Sequence, residues 1–174
     1  MENVILIGMS GAGKSTLGVL LAKALGYSFM DTDLLIQQRE GRLLQRIIDE
    51  EGLSYFMQTE ERAVCSVEAD HHVIATGGSV VYSEEAMAHL RSLGRVVYLS
   101  VAFEELQRRL SNIKTRGIVF KGSSDLRSVY EERLPLYEKY ADLTVSCTGR
   151  DVESSVEEIL SALAREHRCP KDGE

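Results

Sequence analysis

A glycine-rich segment placed between an apolar run and a helical segment constrains this chain more than any other feature. Residues 3–7 read NVILI, residues 8–15 read GMSGAGKS, and residues 14–26 have apolar residues at helical spacing. The segment matches the pattern G-x-x-x-x-G-K-[ST], with its fixed positions at Gly8, Gly13, Lys14 and Ser15. Glycines let backbone N–H groups turn inward around phosphate oxygens, and the positive end of the next helix points at the same place. The pattern therefore predicts a site for a nucleoside triphosphate.

The last two residues of this pattern have separate expected roles. Lys14 is expected to reach the β- and γ-phosphates, and the hydroxyl of Ser15 is expected to ligate Mg²⁺. A strand ending in an acidic residue, which larger P-loop machines carry, is not evident, and neither are the guanine-reading segments of nucleotide switches. The sequence therefore favours a kinase that acts on a small molecule.

Two acidic residues follow the first predicted helix. The segment 29–33 reads FMDTD, so Asp31 and Asp33 are two residues apart at the end of an apolar run. On an extended segment this spacing points both carboxylates the same way. One of them is then able to hold a metal through water while the other meets a substrate hydroxyl. The alternative is that the two acids only cap the next helix.

Short apolar runs alternate with helical segments along the chain. The predicted strands are residues 3–7, 72–77, 95–101 and 143–147. The predicted helices are residues 14–26, 41–52, 83–94, 102–112, 124–141 and 151–167. Nearly continuous apolar strands that alternate with helices indicate a parallel sheet with helix layers on both faces. With 174 residues and no repeat or Pro-rich linker, the chain is expected to form one domain.

Composition limits the partners and the compartment. The net charge of -7 argues against a general affinity for nucleic acid or for anionic membranes, so an anionic ligand needs a local basic pocket. The cysteines are Cys65, Cys147 and Cys169, and they lack the CxxC spacing of a zinc site. No stretch approaches the roughly 20 apolar residues of a membrane span, and the first residues lack a secretory pattern. We expect a protein of the reducing cytoplasm.

Six segments, taken in order, resemble the shikimate kinase family across nearly the whole chain. They are GMSGAGKST (8–16), DTDLLIQQREGR (31–42), EEGLSYF (50–56), ATGGS (75–79), KTRG (114–117) and ERLPLYEKYAD (132–142). The resemblance implies an α/β three-layer sandwich with a five-stranded parallel sheet. It also implies a substrate-binding region at about residues 33–60 and a lid at about residues 112–125, followed by a frayed tail at residues 168–174. The implied reaction transfers the γ-phosphate of ATP to the 3-hydroxyl of shikimate, within aromatic amino acid synthesis, and the implied enzyme is a monomer.

The resemblance also assigns site residues. It implies nucleotide contacts from Gly11, Ala12, Gly13, Lys14, Ser15, Thr16 and Arg109, the last lying along the adenine. Asp31 is implied in the Mg²⁺ shell, and Asp33 in binding the acceptor hydroxyls and taking up a proton. Arg116 is implied as the lid arginine that stabilises the transferring phosphoryl group, together with Lys14.

For the acceptor, the resemblance implies a carboxylate grip by Arg133 and backbone N–H groups from Gly77 and Gly78. Three positions depart from the family pattern: Met57 replaces a second arginine, Ser79 replaces a third glycine, and Gly117 replaces the proline after the lid arginine. Met57 and Ser79 are accordingly expected to line an altered acceptor pocket. Arg46 or Arg42 is a hypothetical substitute for the missing arginine.

Three functions stay open at this point. The chain is a shikimate kinase with rearranged acceptor binding, a related kinase for another small polyol or hydroxy acid, or a catalytically silent ATP-binding regulator. The retained residues Lys14, Ser15, Asp31, Asp33 and Arg116 argue against the third.

Overall fold

The structure is a computed structural model that describes residues 3–111 and 125–167. Its strands are β1 (Asn3–Ile7), β2 (Ser28–Asp31), β3 (His72–Ala75), β4 (Gly94–Ser100) and β5 (Leu143–Ser146). Its helices are α1 (Lys14–Leu25), α2 (Thr32–Glu40), α3 (Leu44–Cys65), α4 (Glu84–Leu93), α5 (Phe103–Ser111), α6 (Leu126–Tyr140) and α7 (Val152–His167). A 3-10 turn at Val80–Tyr82 follows β3.

The five strands form one parallel sheet in the order β2-β3-β1-β4-β5. All five residues of β1 are buried, which requires cover on both faces of the sheet. The predicted α/β three-layer sandwich with a five-stranded parallel sheet is confirmed.

The strand order decides where a ligand can bind. β1 lies at the centre of the sheet, between β3 and β4. β2 and β3 lie on one side of β1, and β4 and β5 lie on the other, so the strand order reverses direction at β1. Open parallel sheets bind ligands at the carboxyl ends of their strands, at such a switch point. The carboxyl ends of β1, β2 and β3 therefore bring residues 8–15, 31–33 and 76–79 to one edge of the sheet.

A second, smaller apolar cluster supports the region between β2 and β3. It consists of Ile36 of α2 with Ile47, Phe56 and Ala63 of α3, all buried. This cluster joins α2 to α3, and it fixes the helix face of α3 that carries the buried Glu60. The predicted substrate-binding region is thus a small packed unit attached to one side of the sheet.

The helix predicted at residues 41–52 is wrong at its start, whereas its predicted end coincides with a kink at Gly52. α2 ends before Gly41, whose φ of 66° suits glycine, and α3 begins at Leu44 and runs to Cys65. Within α3, Gly52 adopts φ 83° and ψ 170°, so the apolar periodicity changes phase there. α2 was not predicted from the pattern because its sequence TDLLIQQRE is mostly polar.

The remaining elements lie close to their predicted positions. The four strands predicted from apolar runs are present, and β2 supplies the fifth strand that the family resemblance implied. Of the predicted lid, only Asp125 is within the described residues, where its Oδ1 accepts a hydrogen bond from Ser128 N and caps α6. The rest of the predicted lid and the predicted tail lie outside the described residues.

Asn3 ties the start of the central strand to the chain before β3 and β4. Its Nδ2 donates to Ala69 O at 2.7 Å and to Leu93 O at 2.9 Å, and its Oδ1 accepts from His72 N at 2.9 Å. The side chain of Asn3 is buried, and the three hydrogen bonds that it makes are partly buried.

We expect Asn3→Ala to lower the free energy of unfolding by about 2–4 kcal/mol, because it leaves buried backbone groups unpaired. Urea denaturation measures the change. Thr144→Ala, at an exposed position of β5, is the control and should change stability by less than about 0.5 kcal/mol. An equal, small effect of both substitutions contradicts the assigned role of Asn3.

Candidate active site

The glycine-rich loop after β1 adopts a backbone that its glycines make possible. Gly8, Gly11 and Gly13 have φ values of 145°, 85° and 95°, which side chains disfavour. A Cβ on Gly8 would also lie 2.8 Å from the carbonyl oxygen of Leu99 in β4. The loop therefore needs glycine for both conformation and space, as the sequence pattern indicates.

Lys14 begins α1 and folds back over this loop. Its Nζ donates to Gly8 O at 2.7 Å and to Met9 O at 2.9 Å, and the residue is only 8 % exposed. A buried ammonium at the positive end of a helix favours an anion at this place. The position fits phosphate binding.

Ser15 and Asp31 connect the loop to the end of β2. The Ser15 hydroxyl donates to Asp31 Oδ2 at 2.6 Å, while Asp31 Oδ1 accepts from Asp33 N at 2.9 Å and caps α2. Asp31 thus has the helix-capping role of the alternative interpretation and also contacts the loop. Asp33 lies in the first turn of α2, so the expectation of one extended segment through both acids is wrong.

A cavity of about 320 Å³ collects most of the predicted site residues. Its walls come from the loop, from the segment after β2, and from the segment after β3. Among the predicted residues, the lining includes Gly11, Gly13, Lys14, Ser15, Asp31, Asp33, Gly77 and Gly78. The acidic pair, the lysine and the two glycines after β3 therefore share one space.

Arg133 reaches this region from α6. It is 1 % exposed, and its Nε donates to the hydroxyl of Tyr82 at 3.2 Å. A Cβ on Gly78 would lie 3.0 Å from Arg133 Nη1 and 3.1 Å from Ser10 Oγ, so the backbone of Gly78 runs between the guanidinium and the loop. Tyr137, one turn further along α6, donates its hydroxyl to Gly78 O at 2.6 Å, and burial raises its pKa. The guanidinium is thus buried next to Gly78, which lines the cavity.

Glu60 is a buried acid that the sequence analysis missed. Its Oε2 accepts the hydroxyl of Ser79 at 2.5 Å, and its Oε1 has no hydrogen-bond partner among the described residues. Burial is the main cause that raises the pKa of Glu60 to about 7, and the nearby charge of Asp33 adds to it. A glutamate in a helical segment usually faces solvent, so nothing in the pattern distinguishes it.

Two of the three departures from the family pattern, Met57 and Ser79, are within the described residues, and neither lines this cavity. Met57 lines a separate cavity of about 500 Å³ with Tyr82 and Glu61. Ser79 is buried and bonds Glu60 rather than lining the 320 Å³ space. Neither Met57 nor Ser79 lines the 320 Å³ cavity, and the expectation that they line an altered acceptor pocket stays a prediction.

Neither proposed substitute for the missing arginine lines the cavity. Arg42 donates to Glu50 at 2.7 Å, to Glu51 at 3.1 Å and to Glu40 at 3.3 Å. Arg46 lines a different hollow with Gln37, Gly41, Arg42 and Leu43. Their positions give no support to a role in holding the acceptor.

Arg109 and Thr16 line a further cavity, of about 350 Å³, that also borders the loop. Arg109 Nη1 donates to Gly11 O at 3.2 Å and to Ala12 O at 3.4 Å, and Glu105 pairs with the same guanidinium. The N–H of Gly149 bonds Glu105 at 2.8 Å and lowers its pKa, so the carboxylate stays ionised beside Arg109. Arg116 and Gly117 lie outside the described residues.

The fold and the site together define a class of protein. A glycine-rich phosphate loop lies at the switch point of a parallel sheet, and an acid pair forms another wall of the same cavity. These features define a P-loop kinase of the α/β class. The family model for shikimate kinase matches residues 10–164. A shikimate kinase of Pseudomonas entomophila is 40% identical over 166 residues, which is 94% of this chain and 96% of that protein. One of Caldanaerobacter subterraneus is 33% identical over 168 residues, covering 95% of this chain and 98% of the relative.

A solved shikimate kinase of Acinetobacter baumannii, in complex with shikimate, superposes with a TM-score of 0.87 at 28% identity, covering 98% of this chain and 96% of that one. The chain belongs to the shikimate kinase family. It is accordingly an ATP- and Mg²⁺-dependent phosphotransferase with a hydroxyl acceptor. Within the described residues, no helix has the length and apolarity to cross a membrane.

We expect Lys14→Ala to lower kcat/KM for ATP by about 100- to 1000-fold, because it removes a preorganised cation from the phosphate site. A coupled assay of ADP formation measures the loss. Lys23→Ala, at an exposed position of α1, is the matched control and should leave the rate nearly unchanged. A Lys14→Ala protein that folds and keeps kcat/KM within about fivefold contradicts phosphate binding by this lysine.

Proposed function

We propose that this chain transfers the γ-phosphate of ATP to the 3-hydroxyl of shikimate, giving shikimate 3-phosphate and ADP. The observation that carries the proposal is the single cavity that joins the phosphate loop, Asp33 and the Gly77–Gly78 backbone in front of buried Arg133. Membership of the family supports the choice of acceptor, as does the Acinetobacter baumannii enzyme, whose structure contains shikimate.

In this proposal the loop binds the triphosphate. Backbone N–H groups of residues 11–16 surround the phosphate oxygens, and the Lys14 ammonium exchanges its carbonyl partners for the β- and γ-phosphates. The adenine base of ATP binds in the cavity of about 350 Å³ that Arg109 lines.

The residues at the end of β2 fit Mg²⁺. Ser15 Oγ and Asp31 Oδ2 are oxygen donors held 2.6 Å apart, and Mg²⁺ prefers oxygen ligands. No cluster of three or more potential ligands from His, Cys, Asp and Glu occurs in the described part of the chain. Ser15 is therefore the direct protein ligand in the proposal, Asp31 acts through water, and the phosphates supply the other oxygens. When bound, the ion neutralises charge that develops on the phosphate oxygens.

The acceptor binds between Asp33 and Arg133. A planar guanidinium suits a carboxylate, and a buried arginine gains most from an anionic partner because water does not screen the pair. Asp33 Oδ1 lies 3.1 Å from the point that a Cβ of Gly77 would occupy, so it faces the space above that glycine. In the proposal, the carboxylate of shikimate therefore binds at Arg133 and its hydroxyls bind at Asp33.

Phosphoryl transfer then needs little from the protein beyond position and charge. The 3-hydroxyl oxygen forms a bond to the γ-phosphorus, and the bond from that phosphorus to the bridging oxygen of ADP breaks. The hydroxyl proton passes to Asp33 Oδ1, and Lys14 and Arg116 stabilise the charge on the transferring group.

We also propose that residues 1–174 act as one domain and as a monomer in the cytoplasm. Cys65 and Cys147 are free thiols, which supports a reducing compartment.

ADP formation with a panel of acceptors tests the proposed function. Turnover with shikimate supports it, and turnover only with another polyol or hydroxy acid replaces it by the related-kinase alternative. ATP binding without turnover on any acceptor indicates the silent regulator.

We expect Arg133→Lys to raise KM for shikimate by about 10- to 150-fold, because a charged hydrogen bond worth about 1.5–3 kcal/mol is lost from the carboxylate. KM for ATP should stay within about twofold. Arg127→Lys, at an exposed arginine of the same helix, is the matched control. Equal effects of Arg133→Lys on both values of KM contradict a specific role in acceptor binding.

A further inference from the structure

Among the described residues, Glu60 is the one buried acid near the cavity to which the proposed mechanism gives no task. It is 3 % exposed, one oxygen accepts the Ser79 hydroxyl, and the other oxygen has no hydrogen-bond partner in the described part of the chain. Buried polar atoms are nearly always paired, so an unpaired one points to a missing ligand.

The unpaired oxygen lies next to Gly77, a residue that lines the cavity on the side of Asp33. A Cβ on Gly77 would overlap Glu60 Oε1, and the same point is 3.1 Å from Asp33 Oδ1. Gly77 lines the cavity, so the absence of a side chain there opens a gap onto which both carboxyl groups converge. An acceptor hydroxyl seated at Asp33 is therefore within reach of Glu60.

The Ser79 bond decides which oxygen carries the proton when Glu60 is neutral. Since the hydroxyl donates to Oε2, that oxygen is an acceptor, and the proton is left to Oε1. We propose that Ser79 is a positioning residue, which holds the protonated carboxyl of Glu60 so that Oε1 donates a hydrogen bond to an acceptor hydroxyl beside Asp33. This inference rests on the proposed function, because it concerns the same acceptor site.

The surrounding charges favour the protonated form in the complex. The charged groups that face Glu60 are Asp33 of α2, Lys14 of α1 and Arg133 of α6. Once the phosphates bind Lys14 and the acceptor carboxylate binds Arg133, each of these two cations is paired with another anion. An ionised Glu60 would then be a buried charge beside Asp33 without a counterion, which is unfavourable.

The other elements that pack against α3 direct their titratable groups elsewhere. Burial raises the pKa of Cys65, and the charge of Glu85 of α4 raises it further. Tyr82 of the 3-10 turn accepts a hydrogen bond from Arg133. Glu61, the next residue of α3, accepts the hydroxyl of Ser83. The pH dependence of acceptor binding should therefore follow Glu60.

The direction of the change in KM for shikimate, and the pH range in which it occurs, follow from these groups. Burial raises the pKa of Glu60 to about 7, so the neutral form prevails below that pH and is lost above it. Apparent affinity falls in proportion to the competent fraction. KM for shikimate should therefore rise by about tenfold between about pH 6 and about pH 8, while KM for ATP stays level.

Three variants separate the inference from a merely structural role. Glu60→Gln is neutral at every pH and should make KM for shikimate flat across the range. Ser79→Ala removes a hydrogen bond that favours the ionised form, so the rise in KM should move upward by about one pH unit. Glu61→Gln is the matched control, because its carboxyl accepts the Ser83 hydroxyl at the same 2.5 Å but lines the Met57 cavity. It should reproduce the wild-type profile.

If a variant fails to fold, the pH dependence of KM for shikimate in the wild-type protein still tests the inference. Turnover of shikimate with a KM that does not change with pH overturns the inference and leaves the proposed function standing. Absence of turnover with shikimate overturns both. A wild-type rise that Glu60→Gln retains unchanged assigns the titration to another group and also overturns the inference.

Discussion

The hydrogen bond from Ser15 to Asp31 joins the two halves of this site. Ser15 belongs to the first turn of α1, directly behind the phosphate loop, whereas Asp31 ends β2 and caps α2. One carboxylate thus fixes the loop against the start of the region that carries the acceptor groups. The position of Asp33 follows from that cap, because its own N–H is bound to Asp31. Phosphate, metal and acceptor contacts are therefore built from a common reference point.

The nucleotide half of the site was predictable because its requirements are local. Glycine at a positive φ, a lysine at a helix start and a strand before them are all visible within 15 residues. The parallel sheet was predictable for a similar reason, since doubly covered strands are short, continuous and apolar. β2 was not predicted from its apolar residues, because it is an edge strand whose residues are at most partly buried.

The acceptor half was less predictable because it depends on contacts between distant segments. Glu60 and Ser79 are 19 residues apart, and Tyr137 is 59 residues from the carbonyl of Gly78 that it bonds. No local spacing signals that a glutamate will be buried or that a serine will turn away from a cavity. The same limit applies to Met57, since a sequence position says little about the direction of a side chain on α3, which has a kink at Gly52.

The edge position of β2 has a consequence for how such enzymes diverge. Within the described residues β2 pairs with β3 alone, and the chain leaves the sheet there to form α2 and α3 over their own small cluster. Met57 packs against that outlying cluster, away from the hydrogen-bonded strands around β1. Side chains of that cluster can therefore be exchanged without moving the strands that position the phosphate loop.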